Sequence, residues 1–292
     1  MAGIDRPVMD ALHIIDTLYV NRIVWIRSLV ESELGPSLRM AEDLAMLAVG
    51  GGTEFEEVSV DGRDMLLSLL HALAERASEG LRPILHFDCH GSADDGLALA
   101  NGETLGWDEL AEALRGINVA TGNNLVCVFA TCFGLHLGKT LTLSRPTPWY
   151  LMIAPEGEVT LETLQTKTRR FYEAVEASGN ITQAHAETFS PELQLFNCQG
   201  LFARSLARYV ATYGSAKAVA QRSEGLVTRS LANRGISGNR HELRKERRRI
   251  KIALKPSQAL IDQFATSFLI GRKPGLGLAE LRRLAEAERR RT

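Results

Sequence analysis

Two apolar runs of strand length, each ending in a reactive side chain and a glycine, constrain this chain more than any other feature. The first is Pro83-Ile84-Leu85-His86-Phe87-Asp88-Cys89-His90-Gly91. The second is Asn124-Leu125-Val126-Cys127-Val128-Phe129-Ala130-Thr131-Cys132-Phe133-Gly134. Runs this apolar suit strands covered on both faces, as in a parallel sheet between helices. Parallel neighbours would deliver His90 and Cys132 to the same sheet edge. That edge, outside the carboxyl ends of the strands, is where open α/β folds place their sites. A histidine beside a cysteine forms a base–nucleophile pair. Their separation of 42 in sequence leaves room for a hairpin, a helix and a strand.

The surrounding pattern predicts an α/β fold. Residues 13–20 (HIIDTLYV) read as a first strand, 38–48 as a helix, 55–60 as a short strand and 64–78 as an amphipathic helix ended by Gly80. Strand, helix and strand in this order form the βαβ signature, with 83–88 as the next central strand. Asn101-Gly102 between apolar stretches marks a hairpin. A helix over 107–114, a strand over 125–130, a helix opening at 133–141 and a buried strand over 149–154 follow. Helices over 161–177 and 181–187 complete this part. Beyond position 201 the pattern predicts only helices, over 202–213, 215–231 and 256–269. A loop is expected at 233–239, and a glycine-containing connector at 271–277 precedes a short charged helix. No internal repeat is visible. The expected division is a domain over 1–200 and a basic helical region over 201–292.

With 292 residues, 45% of them hydrophobic, the chain can bury a core without staples. It has no run of about 18 apolar residues and no signal-peptide pattern. Cys89, Cys127, Cys132 and Cys198 lack the spacing of a disulfide framework, so a reducing cytoplasm is the expected location. The net charge of −1 hides an asymmetry: residues 201–292 hold 21 Lys+Arg against 7 Asp+Glu, while the first 200 hold 13 against 28. Opposite charges of this size favour docking of the two parts on each other, or of the tail on an acidic partner.

The chemistry assigns roles. Cys132 is the expected nucleophile, and His90 the base that makes its thiolate and later the acid. Gly91, without a Cβ, and the Cys132 N–H are the expected oxyanion donors. A helix opening after Cys132 would further favour a thiolate. Asp88 shares a strand face with His90 and would either orient it or line the substrate pocket. His86, Cys89, His90 and Cys132 are all soft ligands, but the alternation along 86–90 disperses them, so no metal and no cofactor are expected. Cys89, Cys127 and Cys198 read as small buried residues. The basic run at 244–251 has no interleaved aromatics, which makes nucleic acid an unfavoured partner.

The order of apolar block, His-Gly, hairpin, apolar block and Ala-Thr-Cys-Phe-Gly resembles the caspase-like cysteine peptidases, and among them the CHAT branch related to separase. The resemblance spans roughly residues 13–190 and includes Glu156, Glu158 and Phe171-Tyr172. It implies a caspase-like αβα sandwich with a mostly parallel sheet, a C-terminal helical appendage and a His90/Cys132 dyad. It further implies endopeptidase action on a protein, with a gasdermin-like effector as one such partner. Relatives build part of the first specificity pocket where Glu156 and Glu158 stand, which favours a basic residue before the scissile bond. The acidic residue that related metacaspases carry two positions before the cysteine is Ala130 here, and Arg145 would instead suit an acidic preference. The rival reading is a catalytically inactive α/β interaction module whose basic tail docks on a protein or nucleic acid.

Overall fold

The computed structural model describes residues 17–214, 216–233, 240–253 and 255–291. The described chain divides into two compact units, 17–198 and 199–291. No described helix is long and apolar enough to cross a membrane.

The first unit is a mostly parallel sheet between helices. Its strands are β1 (Arg22–Ser28), β2 (Glu54–Ser59), β3 (Pro83–Ser92), β4 (Gly96–Ala98), β5 (Thr104–Leu105), β6 (Val126–Ala130), β7 (Leu151–Pro155) and β8 (Leu193–Asn197). The sheet order is β2-β1-β3-β6-β7-β8, with the β4–β5 hairpin attached to the end of β3. All pairs along that order are parallel except β7–β8. The helices are α1 (Leu34–Gly51), α2 (Arg63–Ser78), α3 (Trp107–Ala120), α4 (Leu161–Ser178) and α5 (Ile181–Thr188).

Crossover handedness sorts these helices into layers. The β1–α1–β2 connection runs outward and β2–α2–β3 runs back, so right-handed crossovers put α1 and α2 on opposite faces. The connection through α3 continues in the direction of α2, and these two helices pack together, as α1 does with α4. Covered on both sides, the residues Pro83 to Phe87 of β3 and all of β6 are buried. Alternation then decides what each face receives. His86 meets Tyr172 of α4, and Asp88 meets Ser37 of α1. Phe87, on the other face, stacks on Phe129 with ring centroids 4.7 Å apart.

Local signals close the elements. The Thr160 hydroxyl accepts from Thr163 N–H at the start of α4, and Asn180 does the same for Gln183 at the start of α5. Gly179 separates the two helices at φ 64°, a left-handed conformation that glycine adopts without a steric penalty.

Four sequence expectations are corrected. Among the described residues the first strand is Arg22–Ser28. Of the segment 13–20, residues 13–16 lie outside those described, and 17–20 form no strand. Arginines at both ends of β1 disguised it, yet Arg27 is buried and ion-paired with Glu57 of β2. Second, β3 runs on through His90 to Ser92, because its last residues pair antiparallel with β4. Third, the segment after Cys132 is a 3₁₀ turn, Gly134–Thr140, entered through Phe133 at φ 59°. Fourth, β8 pairs antiparallel with β7 where no strand was expected; only part of it is buried, as befits an edge strand.

The second unit is helical: most of α6 (Cys198–Tyr213), then α7 (Ala216–Asn233), α8 (Arg240–Ala253), α9 (Gln258–Phe268) and α10 (Leu278–Arg291). Of the expected loop at 233–239, residues 234–239 lie outside those described. The basic run at 244–251 falls inside α8, where Ile250 packs with Val227 and Leu231 of α7. Arg247 pairs with Glu224 at 2.8 Å, and Glu246 is buried against Ser230 and Arg249. The Phe202 and Phe268 rings stack at 5.9 Å.

Leu70 of α2 is fully buried and Met65 of the same helix is half exposed. Leu70→Ala is therefore expected to cost about 2–5 kcal/mol and Met65→Ala under about 0.5 kcal/mol. Urea denaturation of each variant beside the wild type checks this, and equal losses would contradict the layering.

Candidate active site

The β3–β6 pairing sets the geometry of the site. Asp88 lies opposite Ala130 in a parallel register that begins at Ile84 opposite Val126. His90 and Cys132 each stand two residues beyond that last pair. A shift of two residues preserves the face of a strand, which puts His90 of β3 on the face that carries His86, Asp88 and Ala130, while Cys132 stands just past the end of β6. Both line one cavity of about 230 Å³ at the carboxyl edge of the sheet, with Trp25, Glu33, Ser37 and Asp88.

Two glycines allow the chain to close there. A Cβ on Gly91 would overlap the carbonyl oxygen of Cys132 and stand 2.6 Å from Thr131 Oγ1. A Cβ on Gly134 would meet Phe129 Cβ at 2.8 Å. Gly91 therefore lets the segment after β6 pass close to β3, and Gly134 lets the 3₁₀ turn pack on β6. His136, in that turn, bonds Ala93 O through Nδ1 at 2.7 Å and fastens the two segments together.

His90 Nε2 lies 3.0 Å from Glu33 Oε2, with the imidazole 63% exposed. Glu33 ends the short 3₁₀ turn Glu31–Glu33 just before α1. Sequence reasoning missed it: 57 positions separate it from His90, and only the docking of α1 brings them together. Cys132 is half-buried, with its sulfur 3.9 Å from Val159 O. Among the described residues no hydrogen bond joins Cys132 to His90; each is held by a different neighbour. The Phe133 N–H donates to Gly157 O at 3.1 Å. The amide after Cys132 is thus spent on a loop, and the expected helix N-terminus behind the thiol is replaced by the 3₁₀ turn.

The four cysteines are free, and only Cys132 is not buried. Burial pushes the thiols of Cys89 and Cys127 far up, so both stay protonated at neutral pH. Cys198 packs against Asn123. His86 is fully buried: its ring stacks on Trp25 at 3.9 Å, Nδ1 shares a 3.0 Å hydrogen bond with the Tyr172 hydroxyl, and Nε2 has no partner. Burial lowers its pKa to about 3. Asp88 accepts a hydrogen bond from Ser37, and burial raises its pKa against the opposing pull of Ser37 and Arg27.

Of the residues expected in a substrate pocket, Asp88 lines the cavity. Glu156 and Glu158 are exposed and are not among its walls; Glu156 instead accepts from Gln194 Nε2 at 3.0 Å. Arg145 pairs with Glu112 at 2.6 Å. Among the described residues no group of three or more His, Cys, Asp and Glu side chains is disposed to hold a metal ion.

The buried histidine makes stability depend on pH. An unfolded histidine titrates near 6.5, roughly, and His86 in the fold near 3. Between those values the unfolded chain binds more protons, so stability is full above about 6.5 and falls as pH drops toward 3. His185, whose pKa burial also lowers, acts with the same sign. Asp88 acts oppositely: its raised pKa gives stability at low pH that is lost as pH rises through the folded value. The urea midpoint of His86→Phe is therefore expected to fall less between pH 6.5 and 4.5 than that of the wild type, and parallel slopes would remove His86 as a source. No protein-family model matches this chain, and no curated protein matches it.

Proposed function

We propose that this chain is a cysteine endopeptidase that cleaves a protein substrate with Cys132 and His90. The observation that carries the reading is the cavity these two side chains share at the carboxyl edge of the sheet, where Cys132 is the one thiol among four that is not buried. With Nε2 of His90 engaged by Glu33, Nδ1 is the nitrogen left to receive the thiol proton. The Cys132 thiolate attacks the scissile carbonyl, and the protonated His90 gives its proton to the departing amine. His90 then takes a proton from water as that water attacks the thioester, which releases the acid and restores the thiol. Gly91 and the Cys132 N–H are the proposed donors to the oxyanion. Glu33 is a positioning residue: it holds the ring and offsets the charge of the imidazolium.

The likeness of the His-Gly and Ala-Thr-Cys-Phe-Gly blocks to caspase-like peptidases of the CHAT branch supports the same reaction class. A protein partner, such as a gasdermin-like effector, comes from that likeness. Four free cysteines favour a reducing compartment, the cytoplasm.

A mixed peptide library and iodoacetamide labelling test this. Cys132→Ala and His90→Ala are each expected to lower cleavage at least about 1,000-fold, with the double variant little worse than either. Glu33→Gln should lower kcat by roughly 10- to 100-fold through loss of ring orientation. Cys89→Ala and Cys127→Ala should leave the rate intact. Labelling should fall on Cys132 ahead of the other three thiols. Cleavage undiminished in Cys132→Ala would move the nucleophile elsewhere, and no cleavage with any peptide would favour an inactive interaction module.

A further inference from the structure

We infer that the outward face of α8 binds the phosphate backbone of double-stranded DNA without reading its sequence. This site lies within the helical unit and does not depend on the peptidase reading.

The helix sorts its side chains by period. Leu243, Glu246 and Ile250 recur at spacings of three and four and turn toward α7, where Leu243 and Ile250 pack with Val227 and Leu231. At about 100° per residue, Arg244, Lys245, Arg248 and Lys251 come round to the opposite side. All four are exposed.

The carboxylates around this helix are spent elsewhere. Glu246 is buried, accepts from Ser230 and pairs with Arg249. Glu224 of α7 pairs with Arg247 and interacts with Lys251 through charge alone. Glu242 is half-buried and stands on the side of the helix away from Arg244. Among the described residues Arg244, Lys245 and Arg248 have no carboxylate within ion-pair distance. Like charges three and four positions apart on a helix repel one another, and a polyanion laid along them removes that repulsion.

The composition of the face selects the partner. A protein interface is built on a desolvated apolar and aromatic centre, and a helix lying in a lipid surface keeps an apolar side for it. The apolar side of α8 is spent on α7, and Ile252, 59% exposed, is its one exposed large hydrophobic residue among those described. Phosphates need only charge and N–H donors, which arginine presents as a fork matched to their oxygens. The missing aromatics argue against stacking on single-stranded bases, not against this contact.

Dimensions favour DNA over an RNA duplex. The row from Arg244 to Lys251 runs about 10 Å along the helix axis, while B-form DNA carries one charge per about 1.7 Å of its own. The major groove of B-form DNA, about 12 Å wide, admits an α-helix, whereas that of an RNA duplex is deep and narrow. α8 contains no Asn, Gln, Ser or Thr, side chains that pair with base edges, so its contacts fall on the backbone.

Fluorescence anisotropy with the full chain and a labelled DNA duplex about two turns long tests the inference. Saturable binding is expected, within a few-fold for two unrelated sequences. Four phosphate contacts give a slope of log K against log salt of about −3.6, roughly 100-fold weaker binding at 200 mM than at 50 mM. Arg244→Gln/Lys245→Gln/Arg248→Gln keeps helix propensity and should bind at least about 10-fold more weakly in low salt, with the slope reduced to about −0.9. An unchanged thermal melt establishes its folding. Arg248→Gln alone should reduce the slope by about 0.9, which keeps the test open should the triple variant unfold. Four outcomes would overturn the inference: no duplex binding in low salt; a strong preference between the two sequences; an equal loss from Arg282→Gln/Arg283→Gln on α10; or tighter binding of single-stranded DNA, duplex RNA, polyglutamate or phosphatidylserine vesicles than of duplex DNA at the same ionic strength.

Discussion

The parallel pairing of β3 with β6 is the constraint on which the rest of the site depends. Because side chains alternate with a period of two, the Asp88–Ala130 register assigns a face to His90 and brings the end of β6, and with it Cys132, to the same sheet edge. A slip of one residue would send His90 to the layer occupied by Phe87 and Phe129. Burial on both faces makes such a slip prohibitive, since it would also move His86 and Asp88 away from Tyr172 and Ser37.

Beyond the strand ends, backbone approach takes over from register. The chain after β6 bends through Phe133 in the left-handed region and lies against Gly91, with Gly134 set down on Phe129. Gly91 and Gly134, on either side of Cys132, are therefore packing devices. His136 adds a hydrogen bond from the same turn to the β3–β4 connection. Cys132 stands on a segment held from three directions, an arrangement that keeps a side chain in place.

The face beneath the site carries polar groups that a core optimised for stability alone would omit. His86 and Asp88 stand two residues apart on β3, one fully buried and one half-buried, and burial works against the charged form of each. Satisfied polar groups in a core can add specificity of packing, but the orphaned Nε2 of His86 does not. That Glu33, Ser37 and Met40 all approach this face from α1 or its leading turn identifies the helix as one wall of the site.

Much of this was legible in the sequence because it is local. Apolar runs named β3, β6 and β7; apolar periodicity named α2 and α4; and Asn101-Gly102 named the hairpin. His90 and Cys132 could be paired from sequence since both end such runs in a fold whose strands are parallel. The first strand was misread because Arg22 and Arg27 bracket it, and a buried arginine is intelligible only beside Glu57. β8 was missed because an edge strand needs only part of its length to be apolar. Glu33 was out of reach: nothing near position 33 distinguishes it, and its meaning comes from where α1 docks. Asp88 was visible as a candidate, yet nothing in the sequence separated it from Glu156 and Glu158. What the sequence by itself determined was the set of strands and helices and the two reactive residues at their ends, because hydrophobic period and turn chemistry act over a few residues. Only the tertiary structure decided which carboxylates stand in the cavity and which face solvent, because that depends on register, crossover hand and helix docking between residues tens of positions apart.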